Sequence, residues 1–139
     1  AWGLARKSAE LMYAFVEATV PKVNLIVKKA YGTAYTLMNS KQGGADLIFA
    51  YPTAEMAPLP PAAGVGVLYS ERLQAGESRE ALEQEYIETE ASIYNAAKLG
   101  CIDDIIVPSE SRARIVAAFE MLKSKRAGAI ARKHDNMPM

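Results

Sequence analysis

Residues 20–55, VPKVNLIVKKAYGTAYTLMNSKQGGADLIFAYPTAE, carry the pattern that decides the fold class. Val23 to Val27 is a short apolar run bracketed by lysines, which predicts a buried strand. Within a few residues the chain passes through Gly32 into a helical pattern, TAYTLM. The KQGG stretch predicts a glycine turn, and Leu47 to Tyr51 reads as a second buried strand closed by Pro52. Strands alternating with helices indicate an α/β fold. A strand that hands over to a helix through a glycine also gathers unpaired N–H groups at one spot, a recurrent place for polar chemistry.

Working outward, Leu4, Leu11, Phe15 and Ala18 keep helical spacing, so a first helix is expected from about Leu4 to Thr19, stopped by Pro21. It begins with neither a cap nor a methionine, which leads to the expectation of a chain cut from something longer. After the second strand, Pro60 and Pro61 predict a helix start and a helix through about Tyr69. Gly64 and Gly66 weaken that helix in isolation, so it must rely on close packing. Ser78 is the expected N-cap of one long helix with Leu82, Tyr86, Ile93 and Ala97 on a shared face, ended by Gly100. CIDDIIVP predicts a short strand broken by Pro108. A last helix is expected to start with Ser109 as N-cap, to bury Ile115, Phe119 and Leu122, and to carry Lys123, Lys125 and Arg126 in its final turn.

With 139 residues the chain has the size of one compact domain, able to bury roughly 65–70% of its unfolded surface. Its 16 basic and 16 acidic residues cancel, so bulk charge calls for neither nucleic acid nor an anionic membrane. The single cysteine, Cys101, cannot form an internal disulfide and fits a reducing cytoplasm. No apolar stretch approaches the roughly 20 residues needed to span a bilayer.

Several stretches resemble the C-terminal half of the β-type subunits of biotin-dependent acyl-CoA carboxyltransferases, the propionyl-CoA carboxylase and biotin-dependent decarboxylase family. The run from AELMYAFVEATVPKV to YPTAEMA follows that family's helix, strand, RKAYGGAY, SK…GAD and (W/Y)PTAE order. LGCIDDIIVPSESRARIVAAFEMLKSKR is similar to its GYIDDVI.PSETR segment and closing helix, and RKHDNMPM to its KKHGNIPL ending. The likeness covers Arg6 to Met139. It implies a crotonase-like (ClpP/crotonase) ββα spiral, here as a partial C-terminal domain: one segment, residues 1–139, from the biotin-side half. The N-half and the start of the C-half are expected to be absent, and the piece to be inactive alone.

The resemblance further implies carboxyl transfer between carboxybiotin and an acyl-CoA. In such chemistry negative charge develops on a thioester oxygen and on the ureido oxygen of biotin. Fixed backbone N–H donors stabilise such charge, one donor being worth roughly 3–4 kcal/mol. By analogy with the family's GGAY turn, the biotin-side donors are the amides of Thr33 and Ala34, with Gly32 shaping the turn. Thr33 replaces the family's glycine; its N–H survives, while its β-branch restricts the backbone. Tyr35 and Thr36 are the implied substrate-binding residues, Thr36 facing the acyl pocket. The competing reading of this stretch is a plain strand-to-helix turn.

The implied partners are an acyl-CoA, a biotin carboxyl carrier protein, biotin carboxylase or membrane decarboxylase subunits, and further copies of the chain in a homo-oligomer. Carboxylation, the reverse decarboxylation and a non-catalytic assembly role all stay open; a hydratase would be expected to show a carboxylate pair that is not evident. Thr53 is expected to cap and Glu55 to satisfy local backbone donors after Pro52. LPPAAGVG, residues 59–66, departs from the family's MGAEGAVN, with Pro60 in place of a glycine. His134 reads as an exposed tail residue and Cys101 as a small buried hydrophobe. Lys28 and Lys29 either mark a strand end or attract a phosphate or carboxylate. The acidic series from Glu77 to Glu90 reads as a solvated face, and no metal-ligating set is expected.

Overall fold

Two successive strand–strand–helix units organise the centre of the chain. The first comprises β1 (Val23–Ile26), β2 (Lys29–Tyr31) and α2 (Thr33–Leu37); the second comprises β3 (Leu47–Ala50), β4 (Glu55–Ala57) and α3 (Pro61–Leu68). They are preceded by α1 (Trp2–Glu17) and followed by α4 (Ser70–Gln74), α5 (Arg79–Thr89), α6 (Ile93–Lys98), β5 (Asp104–Ile105) and α7 (Ser111–Leu122). This computed structural model describes residues 2–126 and 128, so His134 and the RKHDNMPM ending lie outside the described residues.

Like strands pair with like. β1, β3 and β5 form one parallel sheet in the order β1-β3-β5, with Val23 opposite Leu47 and Phe49 opposite Asp104. β2 and β4 form a separate parallel pair, with Lys29 opposite Glu55 and Tyr31 opposite Ala57. The expected strand Val23 to Val27 therefore ends at Ile26, and the KAY that follows is a strand of its own rather than a lead into the helix. Burial on both faces explains the apolar character of β3, in which Ile48, Phe49 and Ala50 are all buried.

Ile48, Met56, Ile93 and Ile102 centre one core; Val65, Leu82 and Tyr86 centre a second. Each fully buried aliphatic side chain contributes about 1.5–3 kcal/mol. The close packing expected around Gly64 is present: a Cβ built there would come within 2.5 Å of the Tyr86 ring. α3 can lie against α5 only because that position lacks a side chain.

Three expectations are corrected. The long helix is broken between α5 and α6, where Ser92 bridges to Glu55, so Leu82 and Tyr86 serve one core and Ile93 and Ala97 the other. Ser109 does not cap the last helix; it lies inside a 3-10 turn, Pro108–Glu110, and α7 starts at Ser111, whose Oγ donates to the Pro108 carbonyl at 2.8 Å. On α7 Ala118 is buried while Phe119 is 46% exposed, and the basic residues fall beyond the helix end. Lys125 reaches away to donate to Asp46 Oδ2 at 2.8 Å and to the Val20 carbonyl at 3.2 Å.

Candidate functional site

Gly32 has φ 57 and ψ −119, a conformation that L side chains rarely adopt, and so turns the chain sharply from β2 into α2. Its N–H donates to the Ala57 carbonyl at 3.3 Å, which ties the turn to the end of β4. α2 is only five residues long, too short to hold itself together. Neighbouring side chains complete it: Asn24 Nδ2 donates to the Met38 and Asn39 carbonyls at 3.0 and 3.2 Å, and Ser40 Oγ donates to the Thr36 carbonyl at 2.9 Å. The other end is left uncapped by any side chain. Among the described residues the amides of Thr33 and Ala34 have no protein acceptor, as the first N–H groups of a helix must lack one within it.

Of the two residues, Ala34 borders a hollow, while Thr33 lies at the exposed start of the helix. A cleft of about 230 Å³ lies between β1 and α2, lined by Ala34, Tyr35, Met38, Ile26 and Lys28 among others. It is of head-group rather than whole-ligand size. A second, more apolar hollow of about 260 Å³ shares Tyr35 and Met56 with it and is completed by Leu59, Leu68 and Leu99. Tyr35 thus stands as a wall between the two. Burial, and after it the contact with Cys101 Sγ at 3.7 Å, pushes its hydroxyl above the ordinary tyrosine range. It stays protonated near neutrality, a polar wall rather than a base.

The structure thus puts Ala34 and Tyr35 on the wall of a cleft, while Gly32 and Thr33 precede them in the turn and line neither hollow. Thr33 is exposed at the helix start. Thr36 is also exposed, lines neither hollow, and turns its hydroxyl back onto the Gly32 carbonyl at 3.2 Å. Cys101 is buried as expected. Lys28 and Lys29 both line the cleft, and Lys29 also pairs with Glu55 at 3.4 Å. Glu55 does not act as a local cap. It lies in β4, where its carboxylate accepts the Tyr31 hydroxyl. Sequence reasoning missed this cluster, because Lys29 and Tyr31 share a face only once β2 is extended against β4.

These donors suit a small anionic acceptor oxygen. No group of three or more metal-ligating side chains converges among the described residues. A biotin ureido group fits on two counts: its oxygen needs N–H donors of the kind left over at Thr33 and Ala34, and the adjoining cleft has room for a ring system.

The family profile of the carboxyl transferase domain matches residues 1–137. The chain belongs to the carboxyl transferase domain family. Among curated carboxyl transferases, it is 45% identical over 141 residues to a putative propionyl-CoA carboxylase beta chain of Bacillus subtilis, covering 99% of this chain and 28% of the relative. It is 45% identical to the methylmalonyl-CoA decarboxylase subunit alpha of Propionigenium modestum, over 99% of this chain and 27% of that protein. The human mitochondrial propionyl-CoA carboxylase beta chain is 44% identical, again over 99% of this chain and 25% of its own length. The chain therefore spans about a quarter of the length of these relatives.

Among solved structures, the transcarboxylase 12S hexamer core with methylmalonyl-coenzyme A bound superposes with a TM-score of 0.89 at 36% identity, over 99% of this chain and 26% of that one. The beta subunit of geranyl-CoA carboxylase from P. aeruginosa shares the fold, with a TM-score of 0.69 at 19% identity, over 93% of this chain and 26% of that one. The carboxyl transferase fold here is accordingly crotonase-like, and its ββα units are the two described above.

Proposed function

We propose that this chain is the biotin-side part of an acyl-CoA carboxyltransferase, and that the amides of Thr33 and Ala34 form the oxyanion hole for the biotin ureido oxygen. The observation that carries this reading is the pair of unpartnered amides at the Gly32 turn, the second on a residue, Ala34, that lines a cleft, in a chain of the carboxyl transferase family. Carboxybiotin, carried on a partner protein, supplies the transferable carboxyl group. The chain's own part is positional. Gly32 sets the amide direction, Asn24 and Ser40 hold the short helix in place, and Tyr35 walls the ring site. Because α2 has one turn and a half, its dipole is small. Stabilisation must come from the individual N–H groups, each worth about 3–4 kcal/mol when well aimed.

Thr36, on the outer side of the same turn, is proposed to meet the acyl group, supplied as a CoA thioester from another part of the enzyme. Direction is open in this reading: relatives named as a carboxylase and as a decarboxylase are each 45% identical. One site serves both directions, since forward and reverse reactions share a transition state. Self-association belongs to the same reading, supported by apolar side chains exposed on α1 and α7 and by the hexamer named for the related transcarboxylase. A cytoplasmic setting is part of it too; no described helix is long and apolar enough to cross a membrane.

Titration of the folded chain with free biotin, followed by amide chemical shifts, tests the site. Saturable shifts are expected at Thr33 and Ala34. No response there up to millimolar biotin would remove the oxyanion hole and leave an assembly role. Assay of the intact subunit with free biotin against a panel of acyl-CoAs then tests the turnover.

A further inference from the structure

Four constraints meet at Glu55, a residue of β4. Its N–H donates to the Lys28 carbonyl at 2.8 Å, just before β2, and its Cα stands opposite Lys29 in the register. Its side chain then crosses to the neighbouring strand. Oε2 accepts the Tyr31 hydroxyl and lies 3.4 Å from Lys29 Nζ. Lys29 and Tyr31 are two residues apart and so project on the same face of β2, where one carboxylate can hold both. The fourth constraint is the antiparallel bridge from Glu55 to Ser92, which anchors β4 to the break between α5 and α6. Tyr31 is the residue immediately before Gly32.

We infer that Glu55 is a positioning residue for the Gly32 turn: its carboxylate clamps Lys29 and Tyr31 along β2 and so fixes the direction in which the Thr33 and Ala34 amides leave the strand. The consequence for ligand binding rests on the biotin-site reading above; the clamp itself does not. A three-residue parallel pair has few ladder hydrogen bonds with which to resist twisting. The side-chain clamp adds two charge-assisted contacts at its two ends. Burial, and then the hydrogen bond to Glu55, raise the Tyr31 hydroxyl well above the ordinary tyrosine range, so it remains a donor to the carboxylate throughout the neutral range. Glu55 itself lines neither cleft and is bonded to neither turn amide, which separates its role from direct catalysis.

Amide hydrogen exchange in the chain distinguishes a local clamp from general stability. In Glu55→Ala, exchange at Gly32, whose N–H is held by the Ala57 carbonyl, is expected to rise at least about ten-fold. Exchange at Ile106, whose N–H is held by Ala50 in the other sheet, is expected to stay within about two-fold. Glu55→Gln, which keeps an acceptor for Tyr31, is expected to restore most of the Gly32 protection. Tyr31→Phe is expected to reproduce the loss in a smaller change that leaves Glu55 in place. Unchanged Gly32 exchange in Glu55→Ala, or equal acceleration at Gly32 and Ile106, overturns the inference; should Glu55→Ala not fold, Tyr31→Phe decides it by the same two amides. Biotin titration of wild type and variants separates the two claims. If wild-type Thr33 and Ala34 ignore biotin, the biotin site fails while the exchange result still decides the clamp. If wild type responds and a folded variant with an accelerated Gly32 responds with the same affinity, the clamp does not position the amides and the inference fails.

Discussion

At the scale of single residues, Gly32 and Asp46 bear the sharpest consequences. An alanine Cβ at position 32 would meet nothing closer than the Pro58 carbonyl at 3.9 Å, so the difficulty lies in the backbone, not in space. Gly32→Ala is expected to destabilise the chain by about 1–3 kcal/mol in urea unfolding, or to shift the turn so that the Thr33 and Ala34 amide resonances move. Asp46 accepts the Lys22 amide at 2.7 Å and the Lys125 ammonium at 2.8 Å. Partial burial pushes its carboxyl upward, but the Lys125 and Lys22 bonds outweigh this and hold it below the usual aspartate range. A carboxyl whose pKa is lowered by folding contributes stability above its unfolded value, about 3.9. That contribution is lost as pH falls through the lower folded value. The urea midpoint is therefore expected to drop as pH falls below about 5, and to drop less steeply in Asp46→Asn than in the wild type.

At the scale of elements, the contact of α3 with α5 depends on one missing side chain. Alanine is favoured over glycine within a helix by about 1 kcal/mol. At position 64, however, its methyl would strike the Tyr86 ring. Gly64→Ala is expected to be destabilising by about 1–3 kcal/mol, in equilibrium denaturation. In a Tyr86→Ala background the same change is expected to be neutral or stabilising, because the obstacle has gone. The elements also differ in how far they could be read from sequence. α1, β1, β3 and α3 have apolar runs or proline punctuation within their own span, and their expected bounds agree with the structure within two residues. β2 and β4 have three residues each and no local pattern; they exist because residues 26 apart, Lys29 and Glu55, pair. The break at Ser92 was hidden for the same reason. Leu82, Tyr86, Ile93 and Ala97 sustain a helical period across it, yet the bridge to Glu55 interrupts the helix.

At the scale of the whole molecule, α1 exposes Leu4, Met12 and Val16, while α7 exposes Val116, Phe119 and Met121. Exposed apolar surface in such amounts favours association. Sedimentation at micromolar concentration is expected to show oligomers, and Phe119→Glu to shift them towards monomer with little change in the urea midpoint of the monomer; a chain that sediments as a monomer at all concentrations would speak against self-association. The sequence by itself determined the α/β class, the principal buried strands and the Gly32 handover, since each is encoded by neighbouring residues whose periodicity or backbone freedom acts locally. The motif order likewise pointed to the family through contiguous residues. Only the tertiary structure decided that like strands pair into two separate sheets, that Ala34 and Tyr35 line a cleft, and that Glu55 reaches across to Tyr31 and Lys29. Those outcomes depend on contacts between segments distant in the chain, whose energies exist only once the intervening residues have folded.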